Sequence, residues 1–162
     1  MKKIFPVIGL VLLICGRGPA AGDDQSASGQ FKIKAVSLAV KAALKTYLIN
    51  SDFQSLKNEK TAEINRKTAV QFTADYNRAW PVLKKCPWLV SKYRLRQNAA
   101  KHEILRIVGR LTRDDCLEAV ENIPDEVVFD QFNNCMNDPE IQNKPLDEQM
   151  NLVIKKFIGK GG

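Results

Sequence analysis

The sequence predicts an all-α fold, a bundle of five or six helices tied together by one disulfide. Apolar residues recur at spacings of three and four, which places them on one face of a helix. No stretch alternates apolar and polar residues convincingly, as a half-buried strand would. A chain of 162 residues is long enough for one self-sufficient domain, and breaks between the periodic stretches divide it into short helices.

The first 22 residues have the three-part layout of a secretory signal peptide. Lys2 and Lys3 precede an apolar run from Ile4 to Cys15, and small residues follow this run. The run is shorter than the roughly 20 apolar residues that a membrane-spanning helix needs. We therefore expect residues 1–22 to be cleaved and the protein to be secreted, or periplasmic if the source is bacterial. A retained membrane anchor and a lipoprotein acylated at Cys15 are the alternatives.

The rest of the chain divides into three predicted segments. Residues 23–30 are polar and form a flexible leader, residues 31–158 form a single helical domain, and residues 159–162 form a flexible tail. Cleavage of the signal peptide removes three basic residues, so the formal net charge falls from +7 to +4. The mature protein is therefore less basic than the whole chain.

A polar break separates the first two predicted helices. One face of the first helix is formed by Ile33, Val36, Val40, Ala43, Leu44 and Tyr47. The break follows at Asn50–Asp52, where Ser51 and Gln54 have the spacing of a capping box. The second helix is predicted over 52–79, because Pro81 lacks an amide hydrogen and disfavours a helical residue before it.

A third helix is predicted from Trp88 to Leu111, after a short Pro81–Pro87 connector. Its apolar face is formed by Tyr93, Ala100, Ile104, Ile107, Val108 and Leu111. Because the periodicity crosses the whole span, we expect one helix there.

Three shorter helices complete the predicted domain. Thr112 and Asp115 mark the start of the fourth helix, and Pro124 is favourable at the first position of the fifth. Pro139 interrupts the chain, and Pro145 opens the last helix. The predicted bounds are 113–121, 124–136 and about 145–159.

Three cysteines remain after signal cleavage, an odd number for an oxidising compartment. Cys116 and Cys135 lie at similar distances on either side of the Asn122–Asp125 turn, so an antiparallel helical hairpin would bring them together. We expect a Cys116–Cys135 disulfide, which would stabilise the fold by about 3 kcal/mol, with Cys86–Cys135 as the rival pairing. Cys86 is then left free, buried, or bridged to a second chain, so the protein is a monomer or a Cys86-linked dimer.

The charges fall into two adjacent blocks of opposite sign. Residues 84–113 carry nine basic residues and one acid, whereas residues 114–151 carry eleven acids and one lysine. Six residues lie on the outward face of the predicted third helix: Lys92, Arg96, His102, Arg106, Arg110 and Arg113. This basic stripe can bind an anionic partner, or it can pair with the acidic segment of the same chain.

We expect the basic stripe to contact its partner through Lys92, Arg96, Arg106, Arg110 and Arg113. A protein or an acidic polymer, such as a sulfated glycan, is the predicted partner. Nucleic acid is disfavoured, because the protein is exported and the stripe lacks interleaved aromatic residues for base stacking.

Four aromatic residues near the Pro81–Pro87 connector offer a second candidate site. Tyr76, Trp80, Trp88 and Tyr93 could line a pocket for a small apolar ligand held between helices. The alternative is that these side chains fill the core.

The composition disfavours most enzyme classes. The chain has one histidine and no glycine-rich phosphate loop, and its acidic residues lack the spacing of a helix–loop–helix calcium site. We therefore predict no metal site, no cofactor and no enzymatic activity. A thiol-dependent enzyme at Cys86, activated by neighbouring positive charge and His102, is the remaining catalytic alternative.

The combination of a cleaved signal, short helices, few cysteines and a basic face is similar in outline to two groups of proteins. One is the small secreted helical proteins of arthropods, including odorant-binding and salivary proteins. The other is the exported helical proteins of Gram-negative bacteria, such as periplasmic chaperones and immunity proteins. Insect odorant-binding proteins usually carry six cysteines with a Cys-x-x-x-Cys pair, which this chain lacks.

The sequence therefore predicts a secreted helical binding protein, for example an inhibitor or effector, that acts by occupying its partner. A carrier of a small apolar ligand and a bacterial periplasmic chaperone or immunity protein are the alternatives.

Overall fold

The computed structural model describes residues 27–157, except for the side chains of residues 146, 147, 150 and 155–157. All regular secondary structure in this part of the chain is helical, which confirms the predicted fold class. The described residues form nine helices rather than five or six. Their bounds are α1 Ala27–Asn50, α2 Phe53–Arg66, α3 Ala69–Leu83, α4 Pro87–Tyr93, α5 Lys101–Arg110, α6 Arg113–Asn122, α7 Asp125–Met136, α8 Pro139–Gln142 and α9 Leu146–Phe157.

Helix α1 forms one side of the bundle, with α6, α7 and α9 packed along it. Its inner face buries Val40, Leu44 and Leu48 in a core to which all nine described helices and several of the segments between them contribute. Residues 27–30, the described part of the predicted 23–30 leader, are helical. The predicted signal peptide at 1–22 and the predicted tail at 159–162 lie outside the described residues.

The predicted second helix is two helices, α2 and α3. Thr68 caps α3 in a reciprocal capping box with Gln71, and this new start ends the previous helix at Arg66. Pro81 lies inside α3 instead of stopping it. Helical i→i−4 bonding is present three residues after the proline, where the Lys84 N–H donates to the Trp80 carbonyl at 2.9 Å. Leu83, in the same last turn of the helix, is fully buried.

The start of α2 also differs from the prediction. Asp52, not Ser51, is its N-cap, because the Asp52 carboxylate accepts hydrogen bonds from the N–H groups of Gln54 and Ser55. The Ser51 hydroxyl donates instead to the Tyr47 carbonyl, 2.6 Å away in the last turn of α1.

The predicted third helix is also wrong, because the chain leaves the helical path after Tyr93. Arg94 adopts a left-handed conformation with a φ of 52°, and the Leu95 N–H donates to the Val90 carbonyl at 2.9 Å. This six-to-one bond is the Schellman ending of a helix. A loop over 94–100 follows, in which Asn98 has a φ of 59°, before α5 begins at Lys101. The basic stripe is therefore divided among α4, this loop, α5 and α6.

Helix α6 starts where the sequence predicts it, and α7 starts one residue later than predicted, with Pro124 as its N-cap instead of its first residue. The Thr112 hydroxyl accepts from the Asp115 N–H at 3.1 Å, and the Asp115 carboxylate accepts in return from the Thr112 N–H at 2.9 Å. Pro124 immediately precedes α7. The four-residue helix α8 was not predicted.

The predicted Cys116–Cys135 disulfide is not present, and no pair among the described cysteines is at disulfide distance. The physical reason is the path of the two helices. Helix α6 packs against α1 and α4, whereas α7 packs against α1, α8 and α9. They do not form the side-by-side antiparallel hairpin that the prediction assumed.

Candidate anion-binding groove

A groove with a volume of about 510 Å³ lies where α4, α5 and α6 meet. Four of its lining residues are basic and two are acidic, with apolar side chains between them. We call it the basic groove; its lining residues are Lys92, Tyr93, Arg94, Glu103, Arg106, Ile107, Arg110, Leu111 and Asp115. Three of the five predicted contact residues, Lys92, Arg106 and Arg110, line it together.

The loop over 94–100 contributes Arg94 to the basic groove, and α3 holds this loop in place. The buried Tyr76 hydroxyl donates to the Arg96 carbonyl at 2.9 Å. The Asn77 side chain bonds Asn98 twice: its oxygen accepts from the Asn98 N–H at 3.0 Å, and its amide donates to the Asn98 side-chain oxygen at 2.6 Å. These contacts fix the turn that places Arg94 beside α5.

Lys92 is neutralised within the protein. Its ammonium donates to Glu118 on α6, lies 3.5 Å from the Asp115 carboxylate and sits 4.6 Å from the centre of the Trp88 ring. The hydrogen bond to Glu118 raises the pKa of Lys92. This predicted contact residue therefore joins α4 to α6.

Arg96 and Arg113 also have partners in the same chain. The Arg96 guanidinium donates to Glu103 at 2.6 Å, which lowers the pKa of that carboxyl. Arg113 donates to the Ser51 carbonyl at 2.8 Å and lies 6.0 Å from the centre of the Phe53 ring. Of the five predicted contact residues, only Lys92 pairs with the acidic segment, as the predicted alternative has it; Arg96 and Arg113 pair with other groups of the chain.

Three exposed arginines of the basic groove are left with uncompensated charge. Arg94, Arg106 and Arg110 make no hydrogen bond or ion pair with the other described residues. The two acids of the groove are engaged elsewhere, Glu103 by Arg96 and Asp115 by Thr112 and Lys92. Three guanidinium groups around a partly exposed apolar side chain suit a carboxylate, sulfate or phosphate group. Arg94 was not among the predicted contacts, because its place in the groove depends on the turn after α4.

The four predicted pocket aromatics fall into two ring clusters. Tyr76 stacks with Phe72 at 5.9 Å and lies 6.2 Å from Trp80, all on α3. Trp88 and Tyr93 on α4 form an edge-to-face pair at 6.4 Å. The cavity beside Phe72 and Tyr76 has a volume of only about 30 Å³, the share of a single water molecule. At Tyr76 these rings therefore fill the core rather than line a ligand pocket.

A larger cleft lies between α1, α2 and α9, far from the predicted aromatic residues in sequence. Its volume is about 660 Å³, and its walls combine apolar side chains such as Leu56 and Ile154 with hydroxyl and carboxylate groups such as Ser55 and Glu59. Nothing in the sequence pattern marked this cleft, because three separate helices form it.

Cys86 is fully buried, and burial raises the pKa of its thiol to about 11. A nucleophilic cysteine needs the opposite shift, because the thiolate is the reactive form. A bridge from Cys86 to a second chain would also require the surrounding core to open.

Among the described side chains, no cluster of three or more His, Cys, Asp or Glu has the arrangement of a metal site. In the described part of the chain, no helix is both long and apolar enough to cross a bilayer.

No protein-family model matches this sequence, and no curated protein or solved structure is significantly similar to it.

Proposed function

We propose that this is a secreted binding protein that occupies an acidic partner through the basic groove. The observation that carries the proposal is the set of Arg94, Arg106 and Arg110, which are exposed, converge on one groove and are uncompensated by the described acidic residues. Arginine forms planar, bidentate hydrogen bonds with carboxylate and sulfate groups, so three of them in one groove favour an anionic partner. Secretion rests on the signal-like layout of residues 1–22.

The partner is an acidic protein surface or an acidic polymer such as a sulfated glycan. The partly exposed Ile107 lies in the groove between the arginines and supplies apolar contact area in addition to charge. The anchored loop over 94–100 reduces the entropy lost on binding, because Tyr76 and Asn77 already hold it.

Retention on immobilised heparin and on immobilised polyglutamate tests the proposal. We expect the wild type to be retained, and Arg106→Glu/Arg110→Glu to elute at much lower salt with an unchanged melting temperature. The matched control is Arg66→Glu/Lys84→Glu, which makes the same change in net charge at two exposed residues outside the groove. Equal losses in both variants would mean that only net charge matters, and a loss of stability with retention intact would mean that the arginines serve the fold.

A second candidate function is the binding of a small ligand in the cleft between α1, α2 and α9. The observation in its favour is the 660 Å³ volume, which lies within the usual range of ligand pockets. Ala43→Trp would fill this cleft, so it should abolish binding of an apolar fluorescent probe such as N-phenyl-1-naphthylamine. Probe binding that survives Ala43→Trp would place the probe elsewhere and remove the support for this candidate.

A further inference from the structure

Helix α1 is apolar on its outer face as well as on its inner face. Three of the large exposed hydrophobic side chains of the described residues lie on it: Phe31 is 77% exposed, Leu38 69% and Ile49 56%. At 100° per residue these three lie within about 20° of one another around the helix axis. Helices that are apolar all round are normally covered on all sides, yet this face is open in the described part of the chain.

The open face is narrow. Exposed alanines at 35, 39 and 42 extend it from Phe31 past Leu38, and the exposed Thr46 lies between Ala42 and Ile49. At a rise of 1.5 Å per residue, the strip from Phe31 to Ile49 is about 27 Å long. We call it the α1 outer strip. Single exposed apolar residues need no explanation, but a strip of this length on one helix indicates a contact surface.

Positive charge borders the α1 outer strip, and α1 contains no acidic residue. Lys41 and Lys45 are ion-paired with Asp125 and Glu121 of the same chain. Lys32 and Lys34 are exposed on either side of the strip, and neither forms an ion pair within 4.0 Å among the described residues, although the charge of Lys34 contributes to the lowered pKa of Asp125. The charge that would complement this surface is therefore negative.

We propose that the α1 outer strip docks on an anionic lipid surface, with α1 lying in the plane of the headgroups. An interfacial helix buries its apolar side chains in the acyl boundary, while lysines at its borders reach the anionic headgroups. The strip is convex, and a fluid lipid surface accepts a convex helix without a matching groove. The proposal does not rest on the basic groove, which lies on α4, α5 and α6.

A second copy of the chain is a poorer occupant of the same strip. Pairing two α1 helices brings together two surfaces that carry lysines and no acid. A strip about 27 Å long on a helix about 10 Å wide also covers on the order of 300 Å², well below the roughly 800 Å² per partner of a standard stable interface.

Co-sedimentation of the full chain with vesicles tests the proposal. The vesicles are pure phosphatidylcholine, or phosphatidylcholine with 30% phosphatidylserine as an added anionic probe. We expect binding to the anionic vesicles only. Phe31→Ser/Leu38→Ser/Ile49→Ser should weaken the partition coefficient at least about tenfold, and Lys32→Gln/Lys34→Gln should weaken it about 5-fold or more per lysine. Because all five side chains are exposed, these variants should keep the wild-type melting temperature.

Two controls make the result specific to the α1 outer strip. Val70→Ser removes a side chain that is 80% exposed but lies on α3, so it should leave vesicle binding unchanged. Arg106→Gln/Arg110→Gln removes two of the three uncompensated charges of the basic groove and should reduce binding by less than the α1 variants. Loss of binding in the groove variant alone, with the α1 variants unaffected, would overturn the proposal.

A tryptophan placed in the strip reports contact directly. The emission of Leu38→Trp should shift to the blue with anionic vesicles and be quenched by brominated lipid, relative to the wild type with its Trp80 and Trp88. No vesicle-dependent change would overturn the proposal. An emission that is already blue-shifted in buffer would also overturn it, because another part of the chain would then cover the strip. An emission that shifts with protein concentration alone would overturn it as well, because a second copy of the chain would then cover the strip.

Discussion

Lys41 Nζ lies 3.0 Å from Asp125 Oδ1, in an ion pair that joins the middle of α1 to the start of α7. The Ser37 hydroxyl donates to the same carboxylate oxygen at 2.6 Å, and the Lys41 ammonium also donates to the Glu121 carbonyl at 3.1 Å. Ser37 and Lys41 are buried, so their polar groups depend on these partners. This cluster fixes how α1 sits against the acidic half of the chain.

Replacing Asp125 with Asn should destabilise the protein by about 1–2 kcal/mol at neutral pH. The hydrogen bond from Ser37, and then the Lys41 ammonium, lower the pKa of Asp125. A lowered carboxyl pKa gives stability that is present above the unfolded value of about 4 and lost as the pH falls through the folded value. The difference in melting temperature between wild type and variant should therefore shrink below about pH 4. Glu126→Gln, at the exposed neighbouring residue, is the control. A difference in melting temperature between wild type and Asp125→Asn that does not change with pH would contradict the role of the Asp125 charge.

Replacing Lys60 with Met should stabilise the protein at pH 7 by about 1–3 kcal/mol. Lys60 is only 3% exposed, its ammonium lies 3.5 Å from the Glu63 carboxylate, and burial lowers its pKa to about 8. Between this value and the unfolded value of about 10.4, the unfolded chain binds more protons than the folded one, so wild-type stability rises with pH.

Denaturant unfolding at several pH values checks this prediction. The advantage of Lys60→Met should narrow as the pH rises from 8 towards 10. Lys60→Arg, which cannot lose its proton at these pH values, should be less stable than the wild type. A Lys60→Met protein that is less stable than wild type at pH 7 would show that the Lys60 ion pair stabilises the fold.

Replacing Tyr76 with Phe should cost about 1–2 kcal/mol of stability, because the Arg96 carbonyl loses its bond from the buried hydroxyl. Burial raises the pKa of Tyr76 to about 12, so this donor keeps its proton throughout the working range of pH. Amide hydrogen exchange should become faster over 94–100 and stay unchanged in α1.

Tyr93→Phe is the matched control for Tyr76→Phe. The Tyr93 hydroxyl is buried without a hydrogen-bond partner among the described residues, so its removal should be neutral or stabilising. Equal costs for the two variants would mean that the bond from Tyr76 does not hold the loop.

The three cysteines of the described chain should react with iodoacetamide in order of exposure. Cys86 and Cys116 are buried and Cys135 is partly exposed, so Cys135 should be labelled first in the native protein. Cys86 should react only after unfolding, since burial raises its pKa to about 11. Intact mass under non-reducing conditions, with and without reduction, is the measurement. Rapid native labelling of Cys86, or a dimer that reduction dissociates, would contradict this placement.

Local signals in the sequence predicted the helical class, the start of α6 and, to within one residue, the start of α7. The Thr112–Asp115 capping box and Pro124 act within a few residues, so tertiary contacts are not needed to recognise them. The break after Tyr93 could not be predicted in this way. Arg94 and Asn98 adopt left-handed conformations without glycine, and contacts from Tyr76 and Asn77, about 20 residues earlier in the chain, hold the loop.

The difference between local signals and tertiary contacts also explains which part of the basic groove could be predicted from the sequence. The excess of basic residues over 84–113 is a property of the sequence, and it indicated Arg106 and Arg110. Which charges stay uncompensated depends on the fold, because Lys92 meets Glu118 only when α4 packs against α6. Pro81 is a second case in which tertiary contacts override a local signal. The proline alone would end the helix, but burial of Leu83 in the core favours its continuation.

The salt dependence of heparin binding by the wild type and by Arg106→Gln/Arg110→Gln tests the proposed function most directly. For a polyanion, the slope of the logarithm of affinity against the logarithm of salt concentration counts the ion contacts that form. We predict that the slope of the double variant is smaller in magnitude by about two, one for each arginine removed, at an unchanged melting temperature. An unchanged slope would contradict the proposal, because the partner would then contact other charges of the protein.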